Sequence, residues 1–504
     1  MKNKHRRERF LSTNTCHWIS LAFLLTLFLP MPLPNRVRSL ALVSLFFLSG
    51  AKAASFAPCD DAATDPALRG SQCAVERVPA DPSGAAGTGG EIDLFVRKFP
   101  AEGASRGNVW LIAGGPGESG ASFYGLIDAF RAAFPGFDLL LPDHRGTGFS
   151  TRMCPQEEAL ASAGGTALVG DEWGTCFARL QAAPAQARQF SETNAAHDLK
   201  RLLERTPSHG KTYVYGVSYG TQLVLRTVAL GAPGIDGIVL DSLVPRQDDD
   251  KADLSRRSLV ADAVGRQVLA ACDASPRCRR TMGEPAEAVY RRVLERTASE
   301  PQLLAEVPGK NLKRFFGSLL DVPGAPWQIP YVIKELDEGK VTRLKTLVAE
   351  VKQTTAQLGS FPQSPPSVPL VSLISSAENN LQPGRTAQAV REEEAGLLFA
   401  SSLPGLLVNA AVPLYPQDAL FGRIPTRLPR VLVIHGDRDA KTPLDAAERH
   451  VEALRKNGPV QVYVATGTGH FSLWWNGACT RATVRKFVLG PQDESRCVSV
   501  SSHD

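Results

Sequence analysis

The chain has 504 residues, of which 43% are hydrophobic and 7% aromatic, so it can build a large core in one big domain with an insertion or in two modest domains. Its formal net charge of +5 originates in the first 53 residues, which hold eight Lys or Arg and one Glu. The remainder carries 48 basic and 50 acidic side chains, and a net charge near −2 argues against nucleic acid as a partner.

Residues 1–53 have the pattern of a leader that targets the chain for export. A basic head and an apolar run are followed by a second basic region, a second apolar run, "LALVSLFFLSG", and a small-residue cleavage site at Ala51 to Ala53. Because two export signals in tandem are one too many, we expect a true start at Met31 and a signal peptide over 31–53. The alternative is a start at Met1 and an N-terminal membrane anchor. Both predict that the body of the protein is periplasmic or secreted.

The cysteines indicate an oxidising compartment. Cys16 lies in the leader, and the other eight fall into four couples that are local in sequence: Cys59 and Cys73, Cys154 and Cys176, Cys272 and Cys278, Cys479 and Cys497. Pairing within each couple is the simplest of the possible disulfide patterns and suits an exported protein. None of the couples has paired C-x-x-C spacing, so we expect no metal site.

Beyond the leader, strand and helix patterns alternate. Strands are predicted over 91–99, 108–115, 137–146, 211–217 and 236–242, with helices over 194–206 and 221–231. Short apolar strands separated by helices predict an α/β fold with a mostly parallel sheet that is covered by helices on both faces.

Strand signals vanish between about 245 and 427, where charged helical stretches take over. The strand pattern "RVLVIHGDRD" at 430–439, a helix from 444 and the strand "VQVYVATG" then restore the alternation. We therefore predict a core in two parts, 54–244 and 428–504, with a mostly helical lid over 245–427 inserted between the strands near 240 and 431.

A serine in a Gly-x-Ser-x-Gly pattern lies between a predicted strand and a predicted helix. In "TYVYGVSYGTQLVL" the serine is Ser218, and its flanking glycines leave room for a sharp turn that would expose its hydroxyl at the carboxyl end of the sheet. The helix that follows would offer its N-terminal dipole to developing negative charge. Ser218 is therefore the candidate nucleophile.

A serine nucleophile needs a histidine base and an acid that orients it. His470 follows the last predicted strand in a glycine-bearing loop, whereas His144, His197, His435 and His450 lie in contexts typical of structural histidines. The preferred acid is Asp439, with Asp437 bracing the turn and Asp241 a minor alternative. The order Ser218, Asp439, His470 is that of hydrolases with a nucleophile elbow.

A glycine run after the strand at 108–112 can supply an oxyanion hole. In "LIAGGPGESG" the N–H of Gly115 would join the N–H of Tyr219, the residue after the nucleophile. The alternative interpretations are a plain glycine turn or a phosphate-binding loop, but the run lacks the lysine of a P-loop.

The motifs "AGGPGESG", "PDHRGTGFS", "GVSYGTQL", "GDRDAKTP" and "GTGH" resemble those of the proline iminopeptidase and tripeptidyl aminopeptidase branch of the alpha/beta-hydrolase superfamily. The resemblance covers nearly all of the chain beyond the leader. It implies an alpha/beta-hydrolase fold, a triad of Ser218, Asp439 and His470, a helical lid that restricts the pocket, and no cofactor. It also implies a serine aminopeptidase that acts on peptides with a free N-terminus.

Two positions depart from that family. Ala113 precedes the glycines where many iminopeptidases have histidine, and Ser375 and Ser376 stand in the lid stretch "LISSAENN" where secreted relatives carry a cysteine. Glu378 in this stretch is a candidate to bind the ammonium of the substrate, with a solvated residue of a helix as the alternative. A carboxylesterase on the same scaffold and a non-catalytic exported binding protein remain the alternative functions.

Overall fold

The structure, a computed structural model, describes residues 55–159, 162, 173–475 and 477–490. The leader and the expectations about it lie outside these residues. No helix within the described ranges is long and apolar enough to cross a membrane.

Nine strands form one sheet in the order β1-β2-β3-β5-β4-β6-β7-β8-β9. From β5 to β9 all neighbours are parallel, whereas β1, β2 and β3 are antiparallel to their neighbours at one edge. This confirms the mostly parallel sheet and adds two strands, β1 and β2, that the predicted elements lack. The strands are β1 Ala57–Pro58, β2 Gln72–Pro79, β3 Glu91–Phe99, β4 Gly107–Ile112, β5 Asp138–Pro142, β6 Lys211–Val217, β7 Gly237–Asp241, β8 Arg430–Gly436 and β9 Val460–Ala465.

The central strands are apolar throughout because both faces of the sheet are covered. Successive side chains of a strand point to opposite faces. In β4, Val109 and Leu111 join one hydrophobic cluster, while Trp110 and Ile112 join the other. Continuous apolar strands are the expected pattern of a sheet buried on both sides.

Helices α1 to α5 and α15 and α16 alternate with the strands. They are α1 Ile127–Ala133, α2 Trp173–Ala182, α3 Pro184–Arg188, α4 Glu192–Arg205, α5 Tyr219–Ala229, α15 Leu444–Arg455 and α16 Ala478–Leu489. Helix α4 begins where Ser191 Oγ accepts a hydrogen bond from Asn194 N, as an N-cap does. Predicted and observed bounds of α4 and α5 agree to within two residues at all four ends.

The chain between β7 and β8, all of it described, contains no strand and nine α-helices, α6 to α14, which we call the inserted helices. They are α6 Arg257–Ala274, α7 Pro276–Met282, α8 Ala286–Ser299, α9 Leu312–Leu319, α10 Ile329–Asp337, α11 Thr342–Gly359, α12 Val368–Glu378, α13 Ala387–Ala395 and α14 Leu403–Val408. Buried residues of α6 to α11 join the hydrophobic cluster on one face of the sheet, whereas those of α12 join the other. That the inserted helices act as a lid stays a prediction.

Three disulfides link neighbouring cysteines as expected: Cys59 to Cys73, Cys154 to Cys176 and Cys272 to Cys278. Cys497 lies outside the described residues, so its pairing with Cys479 stays a prediction. Because disulfides persist in oxidising compartments, the three bonds suggest an extracellular or periplasmic protein.

Candidate active site

Ser218 stands on a sharp turn between β6 and α5. Its backbone has φ +55° and ψ −127°, a left-handed conformation that is strained for a residue with a side chain. The turn is held in place because Ser218 N donates to Asp241 O at 3.0 Å and Thr221 N donates to Ser218 O at 2.8 Å. A strained serine at the carboxyl end of a central strand matches the predicted elbow.

The two glycines of the pattern allow the strand and the helix to pack closely. A Cβ on Gly216 would lie 2.5 Å from Gly220 O, and a Cβ on Gly220 would lie 2.4 Å from Ile112 O. Both distances are far inside van der Waals contact with backbone atoms. The glycines are therefore required by close approach, and they bring α5 against the end of β4.

His470 and Asp439 form a hydrogen-bonded pair. His470 Nδ1 lies 2.9 Å from Asp439 Oδ2 and 3.0 Å from Oδ1. With its proton on Nδ1 for this bond, the imidazole keeps Nε2 as a base. The loops after β8 and β9 thus bring together the predicted acid and the predicted base.

The carboxylate of Asp439 is buried and fully hydrogen-bonded. Oδ1 accepts from Lys441 N at 2.8 Å and Thr442 N at 2.7 Å, and Oδ2 accepts from the Thr442 hydroxyl at 2.7 Å. Burial alone would raise the pKa of Asp439, but His470, His435 and the Thr442 N–H together hold it well below its usual range. Asp439 is therefore ionised at any physiological pH.

The two alternative acids bind backbone instead of His470. Asp437 Oδ1 accepts from Gly467 N at 2.7 Å, which braces the turn as expected. Asp241 accepts from Ser472 N at 2.8 Å and from Leu473 N at 3.0 Å, so it fixes the segment that follows His470. Among the described contacts, Asp439 is the carboxylate that hydrogen-bonds the imidazole.

The glycine run after β4 lies beside the serine. A Cβ on Gly114 would stand 3.0 Å from Ser218 Cβ, and Gly115 has φ +104°. Tyr219 is the first residue of α5, so its N–H has no acceptor inside the helix. Gly115, Ser218 and Tyr219 line one small space together, and the role of the two N–H groups as an oxyanion hole stays a prediction.

The glycine run also contacts helix α12. Gly117 has φ +94°, and a Cβ there would lie 2.8 Å from Val371 Cγ2. Ser367 N donates to Gly117 O at 2.9 Å, and Ser119 Oγ donates to Gln363 O at 2.8 Å. The inserted helices are thus hydrogen-bonded directly to the run that carries Gly115.

A cavity of about 540 Å³ opens above Ser218. Ser218, His470 and Gly115 line its floor, and more than half of its other walls come from the inserted helices and their loops. Its apolar wall consists of Pro116, Val217, Leu254, Leu358, Pro365, Pro366, Val371, Leu403, Phe471 and Trp474. This volume is in the range that holds a small organic ligand or a short peptide.

The assignment of Glu378 as an ammonium-binding residue is not supported. Glu378 is 3% exposed and does not line the cavity. Arg226 donates to its two oxygens at 3.1 and 3.0 Å, and the Tyr415 hydroxyl donates at 2.8 Å. Because its charge and lone pairs are already matched, Glu378 has a structural role inside the protein.

Sequence patterns missed several residues of the site. Glu118, Arg257, Asp321 and Lys441 line the cavity. Asp321, from the inserted segment, accepts weakly from His470 N at 3.4 Å and lies 4.0 Å from Lys441 Nζ. The signal for Glu118 was its place in the glycine run, whereas no local pattern distinguishes Arg257 or Asp321 from surface charges of a helical region.

Comparison with known proteins identifies the fold family. Residues 108–279 match the family described as alpha/beta hydrolase fold, and residues 406–497 match the family described as TAP-like protein. No curated protein matches the chain.

Solved structures to which the chain is similar include hydrolases of several kinds. The proline iminopeptidase of Mycobacterium smegmatis is 15% identical with a TM-score of 0.40, over 82% of this chain and 97% of that chain. An esterase (EaEST) from Exiguobacterium antarcticum is 12% identical with a TM-score of 0.35, over 79% and 96%. These likenesses say nothing about the substrate of this chain. From the two family matches, the chain is an alpha/beta hydrolase with a TAP-like C-terminal region.

Proposed function

We propose that this chain is an exported serine hydrolase that releases N-terminal residues or short N-terminal peptides from peptides with a free N-terminus. The observation that carries the proposal is the hydrogen bond between His470 Nδ1 and Asp439, 2.9 Å long, on the same cavity as the strained Ser218. Ser218 is the nucleophile, His470 the base, and Asp439 the group that orients the imidazole.

The reaction is acyl transfer in two halves. His470 Nε2 takes the hydroxyl proton as Ser218 Oγ bonds to the substrate carbonyl carbon, and the N–H groups of Gly115 and Tyr219 stabilise the oxyanion. The C–N bond then breaks, and the proton on His470 passes to the leaving amine. Water, deprotonated by His470, attacks the acyl-enzyme and releases the acid together with free Ser218.

Asp439→Asn is expected to lower kcat about 10⁴-fold. The amide that replaces the carboxylate cannot stabilise the imidazolium, and it favours the tautomer with the proton on Nε2, which cannot accept the serine proton. Asp437→Asn is the control, because Asp437 hydrogen-bonds Gly467 N and not His470, and it is expected to retain kcat within about tenfold. Steady-state kinetics of both variants on one substrate is the measurement, and equal losses in the two would contradict the assignment of the acid.

For the substrate ammonium we propose Glu118. Its side chain is half-buried, lines the cavity, and places Oε2 3.5 Å from the position of a Cβ on Gly114. A carboxylate this close to the nucleophile suits an ammonium one residue from the scissile carbonyl, through charge-assisted hydrogen bonds. The similarity of the motifs to those of aminopeptidases also supports recognition of the N-terminal end of the substrate.

A three-way substrate comparison tests the function. The substrates are chromogenic anilides with a free N-terminal amine, the same anilides acetylated, and a short acyl ester. We expect cleavage of the free-amine anilides and a loss of at least tenfold in kcat/KM on acetylation, since charge-assisted hydrogen bonds contribute about 1.5–3 kcal/mol. Glu118→Gln is expected to reduce that discrimination. Equal cleavage of free and acetylated anilides would contradict an aminopeptidase.

A carboxylesterase is the second candidate, because the apolar wall formed by residues such as Leu358, Leu403 and Trp474 suits an acyl chain. Cleavage of the ester alone would favour that function. Failure to cleave any of the three substrates would favour a non-catalytic binding protein.

A further inference from the structure

Arg257 is the first residue of α6 and lines the active-site cavity. It lines both the cavity above Ser218 and the smaller adjoining space that Ser218, Gly115 and Tyr219 also line. Its side chain is half-buried. A substrate bound at Ser218 would therefore lie close to Arg257.

No acceptor within the described residues satisfies this guanidinium. No hydrogen bond joins Arg257 to another described side chain or backbone oxygen, and no described carboxylate lies within the 4.0 Å of an ion pair. The three arginines that the described part of the chain buries most deeply contrast with it. Arg97 donates to Ser71 and Asp61, Arg145 to Asp198, and Arg226 to Glu378.

A half-buried guanidinium that no acceptor of the protein pairs loses part of its hydration without compensation, and this loss has a cost. Burial lowers the pKa of Arg257, and the more distant carboxylates Asp321 and Asp439 only partly oppose this effect. Five N–H donors in a planar fork fit the two oxygens of a carboxylate. An anionic group in the cavity would relieve this cost.

The other charged residues that line the cavity do not pair with the guanidinium of Arg257. Lys441, half exposed to solvent, has Asp321 at 4.0 Å as its counter-charge. Asp321 Oδ1 also accepts hydrogen bonds from the backbone N–H groups of Ala440 and His470. Glu118 stands in the glycine run beside Gly114. Arg257 is thus the cation of the cavity wall that is left for a ligand.

We propose that Arg257 is a specificity-determining residue that binds a carboxylate of the substrate, and that the enzyme prefers short peptides carrying one near the scissile bond. The inference rests on the proposed function and deepens it by naming the substrate class. The carboxylate can be an acidic side chain or the free C-terminus of a short peptide. With Glu118 for the ammonium, the cavity then holds opposite charges for the two ends of a zwitterionic peptide.

The test uses matched peptides of three to four residues, each with a free N-terminus. One pair differs only in a C-terminal carboxylate against its amide, and another pair differs only in Glu against Gln. Hydrolysis is followed by mass spectrometry in the wild type, Arg257→Gln, Arg257→Lys and Arg266→Gln. The last is a matched control on the same helix, since Arg266 is paired with Asp262 and Glu287 outside the cavity.

We expect the wild type to prefer the carboxylate member of at least one pair by about 10- to 100-fold in kcat/KM, as for a charge-assisted hydrogen bond. Arg257→Gln is expected to abolish the preference, because its kcat/KM falls far more on the carboxylate member than on the neutral member, and Arg257→Lys to retain part of it. The pair that responds identifies which carboxylate is bound. Equal loss on charged and neutral members, or no preference in the wild type, would overturn the inference.

Binding of the same pairs to the Ser218→Ala variant, measured by calorimetry, separates this inference from the proposed function. If the wild type cleaves no peptide but Ser218→Ala still binds carboxylates in an Arg257-dependent way, the peptidase function fails and the role of Arg257 stands. If peptides are cleaved and bound without regard to the carboxylate, the role of Arg257 fails alone.

Discussion

Replacing Ser218 by alanine is expected to lower kcat by about 10⁶-fold and to leave the fold intact. The hydroxyl of Ser218 is the proposed nucleophile, and without it the acyl-enzyme of the proposed mechanism cannot form. Alanine has a Cβ as serine does, so the backbone strain at the φ of +55° is expected to be the same in the variant as in the wild type. Turnover and melting temperature of the purified variant are the measurements.

Ser375→Ala is the matched control for this variant. Ser375 lines the same cavity but belongs to α12 and has an ordinary helical backbone. We expect it to keep kcat within about tenfold of the wild type. A Ser218→Ala variant with wild-type activity, or a Ser375→Ala variant as inactive as Ser218→Ala, would contradict the choice of nucleophile.

The largest loss of stability is expected for Arg226→Met, about 3–5 kcal/mol in the free energy of unfolding. Arg226 lies on α5 and is 4% exposed; it contacts Glu378 at 3.0 Å and Glu192 at 3.3 Å. Its removal leaves the buried carboxylate of Glu378 without a cation. Because α5 begins directly after Ser218, loss of activity should accompany loss of stability. Denaturant and thermal unfolding are the measurements, with Arg246→Met as the control, because Arg246 is only half-buried and its partner Asp248 is exposed.

Glu192→Gln tests whether Glu192, one of the two acidic residues beside Arg226, is protonated in the folded protein. Burial raises the pKa of Glu192 to about 8, with Arg226 opposing the shift and Glu378 adding to it. Since the pKa is raised, the contribution of Glu192 to stability is present below about pH 4.5 and is lost as the pH rises through 8. As the pH rises from about 4.5 to 8, the free energy of unfolding of the variant is therefore expected to increase relative to that of the wild type. An unchanged difference between pH 5 and pH 9 would contradict a neutral Glu192.

Sequence patterns were sufficient for the parallel sheet and for the grouping of Asp439 with His470. Those features follow from local signals: apolar strands, glycines at turns, and acid and base at the ends of successive strands. Strand β2, Gln72–Pro79, also alternates buried and exposed residues toward its end, a signal that the sequence carries although the predicted elements lack it.

The roles of the candidate carboxylates Glu378 and Asp241 depend on contacts between distant parts of the chain. Glu378 resembles a free carboxylate in its own helix, because its partner Arg226 precedes it by 152 positions. Asp241 follows a strand as a triad acid would, yet it binds the backbone at Ser472 and Leu473. Only the packed structure shows that both carboxylates already have partners and are therefore not available for the roles that the sequence suggested.

A backbone feature of the site was also beyond sequence patterns. Ser242 and Phe471 both have positive φ, +54° and +65°, and Phe471 N donates to Ser242 Oγ at 2.9 Å. Neither residue type favours this conformation. The two strained residues hold each other immediately after β7 and His470, where strain is tolerated because the surrounding structure enforces it.

The contact between Gly117 and α12 limits how this enzyme could be redesigned. Exchanging the inserted helices for those of another hydrolase, to alter substrate range, would also exchange Val371 and Ser367, which touch the glycine run. A graft that fits the pocket but not Gly117 is expected to displace Gly115, the proposed oxyanion donor, and so to disable catalysis for every substrate. The unit that can be swapped between such enzymes is therefore the inserted helices together with the glycine run.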